Sequence, residues 1–240
     1  GSEQSTVLNT DNSSGGDRRL YIQAMINYNR TFNTVHNVSG MLLYNQDQYN
    51  GNAPEDLIES LPQRKQGFAG RVTYAYDYRY MAELNFGYNG SENFAKGNRF
   101  GFFPSGSIGY VISEEAFMKD IKWLSNFKVR FGWGTVGNDR ISNYLSLDLY
   151  EASKYGVGNN TVTVLTPKQL KNANLKWEGS NTVNLGVDLG FFDSRLNITA
   201  DFFIKNTKDL LLAQSLAHAT GFSSQWQNIG KIQNKGIELS

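Results

Sequence analysis

The chain carries two histidines, His36 and His218, and no cysteine. Thiolate zinc sites, cysteine nucleophiles and disulfides are therefore excluded, and two imidazoles so far apart in sequence are a poor start for a metal centre. No Gly-x-Ser-x-Gly, His-Glu-x-x-His or phosphate-loop pattern occurs. The adjacent acids Glu114-Glu115 could act as an acid–base pair. Placed after Ser113, they read better as the N-terminal charges of a short helix capped by that serine. Asp139, Asp148 and Glu151 offer oxygen ligands for Ca²⁺, but their spacing matches no EF-hand loop. These residues support no catalytic, cofactor or metal site, so the chain reads as a non-enzyme. With 23 basic and 22 acidic residues and a net charge of +1, it also lacks the basic excess of a nucleic-acid binder.

The elements that would position any site are legible as alternation. Tyr80, Ala82, Leu84, Phe86 and Tyr88 face one way, and Met81, Glu83, Asn85, Gly87 and Asn89 the other. Val72, Tyr74 and Tyr76 alternate with Arg71, Thr73 and Ala75, and Phe127, Val129, Phe131 and Trp133 with Lys128, Arg130, Gly132 and Gly134. The runs 20–28, 183–190 and 196–205 repeat the pattern, and 34–48 and 103–112 follow it less cleanly. Period two marks strands with one apolar and one polar face. Runs of roughly 10–13 residues exceed ordinary strands of about 5–6 and suit a tilted crossing of a membrane's apolar band, about 25 Å tall. No stretch is long and apolar enough for a membrane helix. The negative mean hydropathy, −0.46, is what an alternating barrel averages to.

The links add a second signal. Those at Phe32-Asn33, Asp77-Tyr78-Arg79 and Phe191–Ser194 are short. Ser113–Leu124 is of medium length, with a short helix predicted near 114–123. Those near 49–65, 92–101, 136–178 and 207–234 are long. Short and long links alternate, as in an up-and-down transmembrane barrel with tight turns at one end and long loops at the other. The reading is all-β and antiparallel, with about nine strands of a larger barrel. The first lies near 18–31, the last starts near 235, and 3–10 is the tail of a tenth. A soluble carbohydrate-binding β-sandwich would show shorter strands and no order in its links.

Several segments are similar to the recurring words of SusC/RagA-type TonB-dependent transporters. They are the Arg71–Tyr80 hairpin, Asn98–Ser105 running into Gly109–Glu115, Leu124–Asn138, Asn174-Leu175-Lys176-Trp177-Glu178, Thr207–Leu211, and Gln227–Gly230 with Asn234–Leu239. The similarity covers roughly 65–240, with Ala173 where the family word has proline. It implies that 1–240 is part of an outer-membrane barrel, lacking the plug, the TonB box and the C-terminal strands. It further implies import of glycans or peptides with TonB and a SusD-like lipoprotein, the outer wall meeting membrane lipid. A passive porin or structural barrel is the alternative.

On that reading Arg71, Glu83, Lys128, Arg130, Asp188, Asp201 and Lys205 face the lumen, where they hold water or contact a plug. In the long links Tyr144, Tyr150, Tyr155, Trp177 and Trp226 offer flat faces to sugar rings or to a lid protein. Trp177 and Trp226, sitting in or near the shared words, suit a structural role better.

Overall fold

The computed structural model describes residues 16–51, 61–142, 144–158 and 160–240. The segment 3–10, read as the tail of a further strand, lies outside them. Among the described residues eleven strands follow one another: β1 Asp17–Phe32, β2 His36–Gly51, β3 Gln63–Tyr76, β4 Tyr80–Ser91, β5 Phe100–Val111, β6 Leu124–Asn138, β7 Leu149–Val157, β8 Asn160–Gln169, β9 Glu178–Phe191, β10 Leu196–Ser215 and β11 Ser224–Leu239. Nine form one antiparallel meander, β1-β2-β3-β4-β5-β6-β9-β10-β11, and β7-β8 is a separate hairpin between β6 and β9.

Alternation translates directly into faces, because residues opposite one another in an antiparallel pair point the same way. Tyr28, Gly40, Val72, Leu84, Gly106, Trp133, Val183 and Ile204 form one row of register partners. Among the described residues nothing covers this apolar face: Leu84 is 69% exposed, and Val72 and Ile198 are exposed too. A sandwich would bury these side chains against a second sheet, and the described residues provide none. Aromatics close the band at both ends. His36–Tyr76, Tyr76–Tyr80 and Tyr80–Tyr110 lie with ring centroids 5.1, 6.2 and 4.9 Å apart at the turn end. Tyr44–Phe68 and Tyr88–Phe100, at 4.8 and 5.1 Å, mark the other. Phe68 and Tyr76 are separated by about 26 Å of strand, at roughly 3.3 Å per residue, or about 20 Å of height at a barrel strand's tilt, which sets the aromatics near the two borders of the apolar band.

Three sequence expectations need correction. The helix near 114–123 is instead two 3₁₀ turns, Ile112–Glu114 and Ala116–Met118, and Ser113 does not cap it. Glu115 lies between the turns in extended conformation. Its carboxylate accepts hydrogen bonds from Tyr80 Oη at 2.7 Å and Arg79 Nη1 at 3.4 Å, which hold it out of a helix. The link 136–178 is not all loop, since β7 and β8 pair within it. The link 207–234 shrinks to 216–223, because β10 and β11 continue past the bulge at Asp209, whose φ is 57°. The medium link, 112–123, is thus longer than 92–99 and 216–223. Length alone does not separate the two ends there; the up-and-down order of the strands does.

Candidate functional site

The polar face of the sheet is built from the other half of each alternation. Arg130 on β6 stands opposite Gly186 on β9, and Gly186 opposite Asp201 on β10. The Arg130 guanidinium forms a fork with Asp188, at 2.7 and 3.0 Å, and reaches Asp201 at 3.2 Å. Thr199 Oγ1 donates to Asp188 and Asn184 Nδ2 to Asp201, each at 3.2 Å. A cation shared by two carboxylates cancels their repulsion, and each keeps a neutral donor. Gly186 makes this possible: a Cβ there would lie 2.7 Å from Arg130 Cζ and 2.6 Å from Asp201 Oδ1.

Further along the face Arg71 donates to Asn85 at 3.0 Å and approaches Glu83 at 3.5 Å. Lys128 is in register with Asp188 and with Val111. Lys205 is in register with Thr182 and Asn234. All seven charged residues expected on one face therefore share it. They form two ion-pair groups, around Arg130 and around Arg71, with Lys128 and Lys205 in neither among the described residues. Between the groups the face is made of Ser105, Ser107, Gly109, Gly132 and Gly134, and a concavity of about 670 Å³ lies on it over Ser107, Gly109 and Gly132, edged by Glu83, Lys128 and Arg130.

At the long-link end the strands carry a small core. Phe94 and Leu175 are fully buried, with Leu145 and Leu211 beside them and Ile141, Trp177 and Trp226 packed against the cluster. Trp177 sits 5.4 Å from the ring of Phe94 and 5.3 Å from that of Phe103, and its Nε1–H donates to the carbonyl of Arg99 at 3.0 Å. Asn172 Nδ2 donates to the carbonyl of Trp226 at 2.8 Å. Tyr144 donates its hydroxyl to the carbonyl of Pro62, and burial pushes that phenol above its ordinary pKa. Tyr144 and Trp177 fasten links to one another, and Trp226, which lies on β11 and not in a link, ties the link at Asn172 to that strand. Tyr150 and Tyr155, on β7, are instead 63% and 66% exposed.

The shared word 174–178 is thus a clamp. Leu175 fills the core, and Lys176 pairs with Asp209 at 2.9 Å. Glu178 Oε2 accepts from Leu211 N at 3.4 Å. Asn228 binds the backbone of Lys176 in both directions, at 3.0 and 2.9 Å. Sequence reasoning also missed the opposite end, where Arg79 pairs with Asp77 at 2.8 Å and with Glu115 at 3.4 Å. The Tyr80 hydrogen bond keeps the Glu115 carboxyl below the usual carboxylate range.

Known proteins agree with this architecture. The family described as TonB dependent receptor-like, beta-barrel matches residues 2–240. TonB-dependent receptor P3 of Formosa agariphila is 39% identical over 171 residues, 71% of this chain and 17% of that protein. TonB-dependent receptor SusC of Bacteroides thetaiotaomicron is 35% identical over 203 residues, 82% of this chain and 20% of that protein. The chain therefore spans about a fifth of the length of such relatives. Among solved structures, the RagAB peptide transporter superposes with a TM-score of 0.81 at 23% identity, over 93% of this chain and 27% of that one, which shows a shared fold. The siderophore receptor PirA of Pseudomonas aeruginosa gives 0.59 at 15% identity, over 94% of this chain and 40% of that one. The chain belongs to the TonB-dependent receptor β-barrel family, as a SusC/RagA-type segment of an outer-membrane barrel wall.

Proposed function

We propose that this segment is barrel wall of an energised importer that takes up glycans, or peptides, with a SusD-like lipoprotein over its long-loop end and TonB acting through a region outside this chain. The observation that carries the reading is the division of one sheet into an uncovered apolar face and a charged, concave one. The first suits lipid, and the second suits a water-filled lumen. The charged residues around Arg130 and Arg71 then line the lumen, where a plug can meet them. Tyr150 and Tyr155 are the ligand or lid contacts, since exposed aromatic rings stack on sugars with little rotamer entropy to lose. Trp177, Trp226 and Tyr144 act indirectly, by holding the loops.

The test uses the full-length protein with its lipoprotein. Tyr150→Ala and Tyr155→Ala together should weaken binding of the imported oligosaccharide or peptide in calorimetry while the barrel stays folded. Unchanged affinity across a panel of both ligand classes removes the hairpin from the reading.

A further inference from the structure

The turn between β3 and β4 carries an aromatic ring that the turn itself does not need. Arg79 N donates to the Tyr76 carbonyl at 2.9 Å, and the two residues between them, Asp77 and Tyr78, are both left-handed, with φ of 50° and 52°. Such a turn favours Asn and Gly, and a bulky side chain seldom adopts that backbone. Strain of this kind clusters where a side chain has a task. The Tyr78 side chain reaches the polar face. Its hydroxyl donates to Asn37 Oδ1 at 3.5 Å, and the residue lines the concavity while staying 64% exposed. At 3.5 Å the tether is weak, so the ring can tilt. Asn37 Nδ2, on the same amide, is buried and donates to nothing among the described residues. The neighbours of the ring are mostly neutral. Ser39 and Thr73 share a hydrogen bond on the same wall, and Thr73, Glu83 and Ser107 stand in one row of register partners. The charges that edge the concavity are of both signs, Glu83 against Lys128 and Arg130, and Arg130 is already held by Asp188 and Asp201. The strands that carry these groups, β2 to β6, are each paired on both sides within the sheet.

We propose that this end of the concavity is a saccharide station: the face of Tyr78 stacks on one sugar ring, and Asn37, Ser39, Thr73, Glu83 and Ser107 exchange hydrogen bonds with the sugar's hydroxyls. An exposed aromatic face takes the apolar face of a sugar at little cost in rotamer entropy. Hydroxyl and amide groups both donate and accept, as sugar hydroxyls do, and a carboxylate accepts from two of them at once. The ring and the dense hydroxyls favour a neutral glycan over a peptide, whose side chains bring charge or need apolar pockets. Tyr78 lies at the short-turn end, the periplasmic end of an outer-membrane barrel. The station is therefore at the opposite end from the β7–β8 hairpin and holds the glycan late in its passage. The inference rests on the reading of this face as lumen wall and deepens it by naming the cargo as a glycan.

The experiment places a fluorotyrosine at Tyr78 in the full-length barrel with its lipoprotein, in detergent. The fluorine NMR signal is followed during titration with maltohexaose, laminarihexaose, mannohexaose, xylohexaose and hexaglycine. The same label at Tyr150 or Tyr155 reports the loop end separately. At least one hexasaccharide should shift the Tyr78 signal saturably, and hexaglycine should not. Ser39→Ala/Thr73→Val removes both partners of one hydrogen bond, so neither is left unpaired, and it should weaken that binding roughly tenfold. Ser39→Thr/Thr73→Ser should retain it. Heat-shifted electrophoretic mobility reports the folding of each variant independently of sugar. A Tyr78 signal that answers to no hexasaccharide, or that answers to hexaglycine as well as to any of them, overturns the proposal. Equal affinity in Ser39→Ala/Thr73→Val overturns it too. A response at Tyr150 or Tyr155 without one at Tyr78 removes this station and leaves the importer reading standing, whereas silence at all three positions counts against a glycan cargo as well.

Discussion

The indole of Trp177 and the carbonyl of Arg99 are joined at 3.0 Å, so the entry to β9 is tied to the entry to β5 across the loop end of the sheet. Trp177→Phe keeps an aromatic ring against Phe94 and Phe103 but abandons the carbonyl. It should cost about 1 kcal/mol. Trp177→Ala also empties the packing and should cost about 3 kcal/mol. Equilibrium unfolding of the full-length barrel in lipid vesicles measures both. Equal losses for the two variants would mean that packing contributes nothing.

Neighbours on one strand separate the two faces. Leu84 and Asn85 are adjacent on β4, and Leu84 lies midway between Tyr80 and Tyr88 at the band's edges. Leu84→Arg places a cation in the middle of the lipid face and should destabilise the folded barrel by about 2–4 kcal/mol. Asn85→Arg adds the same charge to the polar face and should cost well under half of that. Reversed sensitivities in the same unfolding assay would put lipid on the wrong side of the sheet.

Arg130→Met leaves Asp188 and Asp201 facing one another without their shared cation. The loss should be near the lower end of about 1–3 kcal/mol, because the arginine keeps 34% of its surface open to water and screening is effective there. Adding Asp188→Asn to Arg130→Met should restore part of it. Gly186→Val tests the same place sterically: the new side chain would displace Arg130 from both acids, at a cost of about 1–3 kcal/mol. A Gly186→Val barrel as stable as its parent would show that the close approach over that glycine is unnecessary.

Acidification should loosen the link 112–123 specifically. The Glu115 carboxyl is held below its ordinary range, chiefly by the Tyr80 hydroxyl. A lowered folded-state pKa means that the stabilisation is complete above the unfolded value and is lost as pH falls through the folded one. Amide exchange in 112–123 should therefore accelerate on going below the carboxylate range, while exchange in β4 stays slow. Glu115→Gln should show faster exchange already at neutral pH and little further change on acidification. The same pH response in Glu115→Gln as in the parent would assign it elsewhere.

How much of this was legible from the sequence depends on whether alternation was intact. Leu84 and Asn85 announce their faces because nothing interrupts β4. The continuation of β10 was hidden, because Asp209 bulges and Leu210-Leu211-Leu212 then reads as an unpatterned apolar run. The β7–β8 hairpin did leave a signal: Gly158-Asn159 stands between Tyr155–Val157 and Thr161–Val164, and Gly158 takes a φ of 62°. The seven charged residues were assignable to one face, yet their grouping around Arg130 depends on which strands are neighbours. Reading 136–178 as one link of an up-and-down barrel already sets β6 beside β9; the register that places Arg130 opposite Gly186 is what no local pattern encodes. Trp177 was set apart by its place in a shared word, while its partners Phe94, Phe103 and Arg99 come from a distant part of the chain.

The serines and glycines between the charged groups have a mechanical meaning. Ser107, Gly109 and Gly132, which line the concavity, carry side chains of a hydroxymethyl or a hydrogen and raise little relief above the backbone. Interlocking of the kind that fixes one helix against another needs ridges as well as grooves, and this stretch supplies a hollow without ridges. Glu83, Lys128 and Arg130 edge that hollow, so its margins are charged while its floor is close to bare backbone.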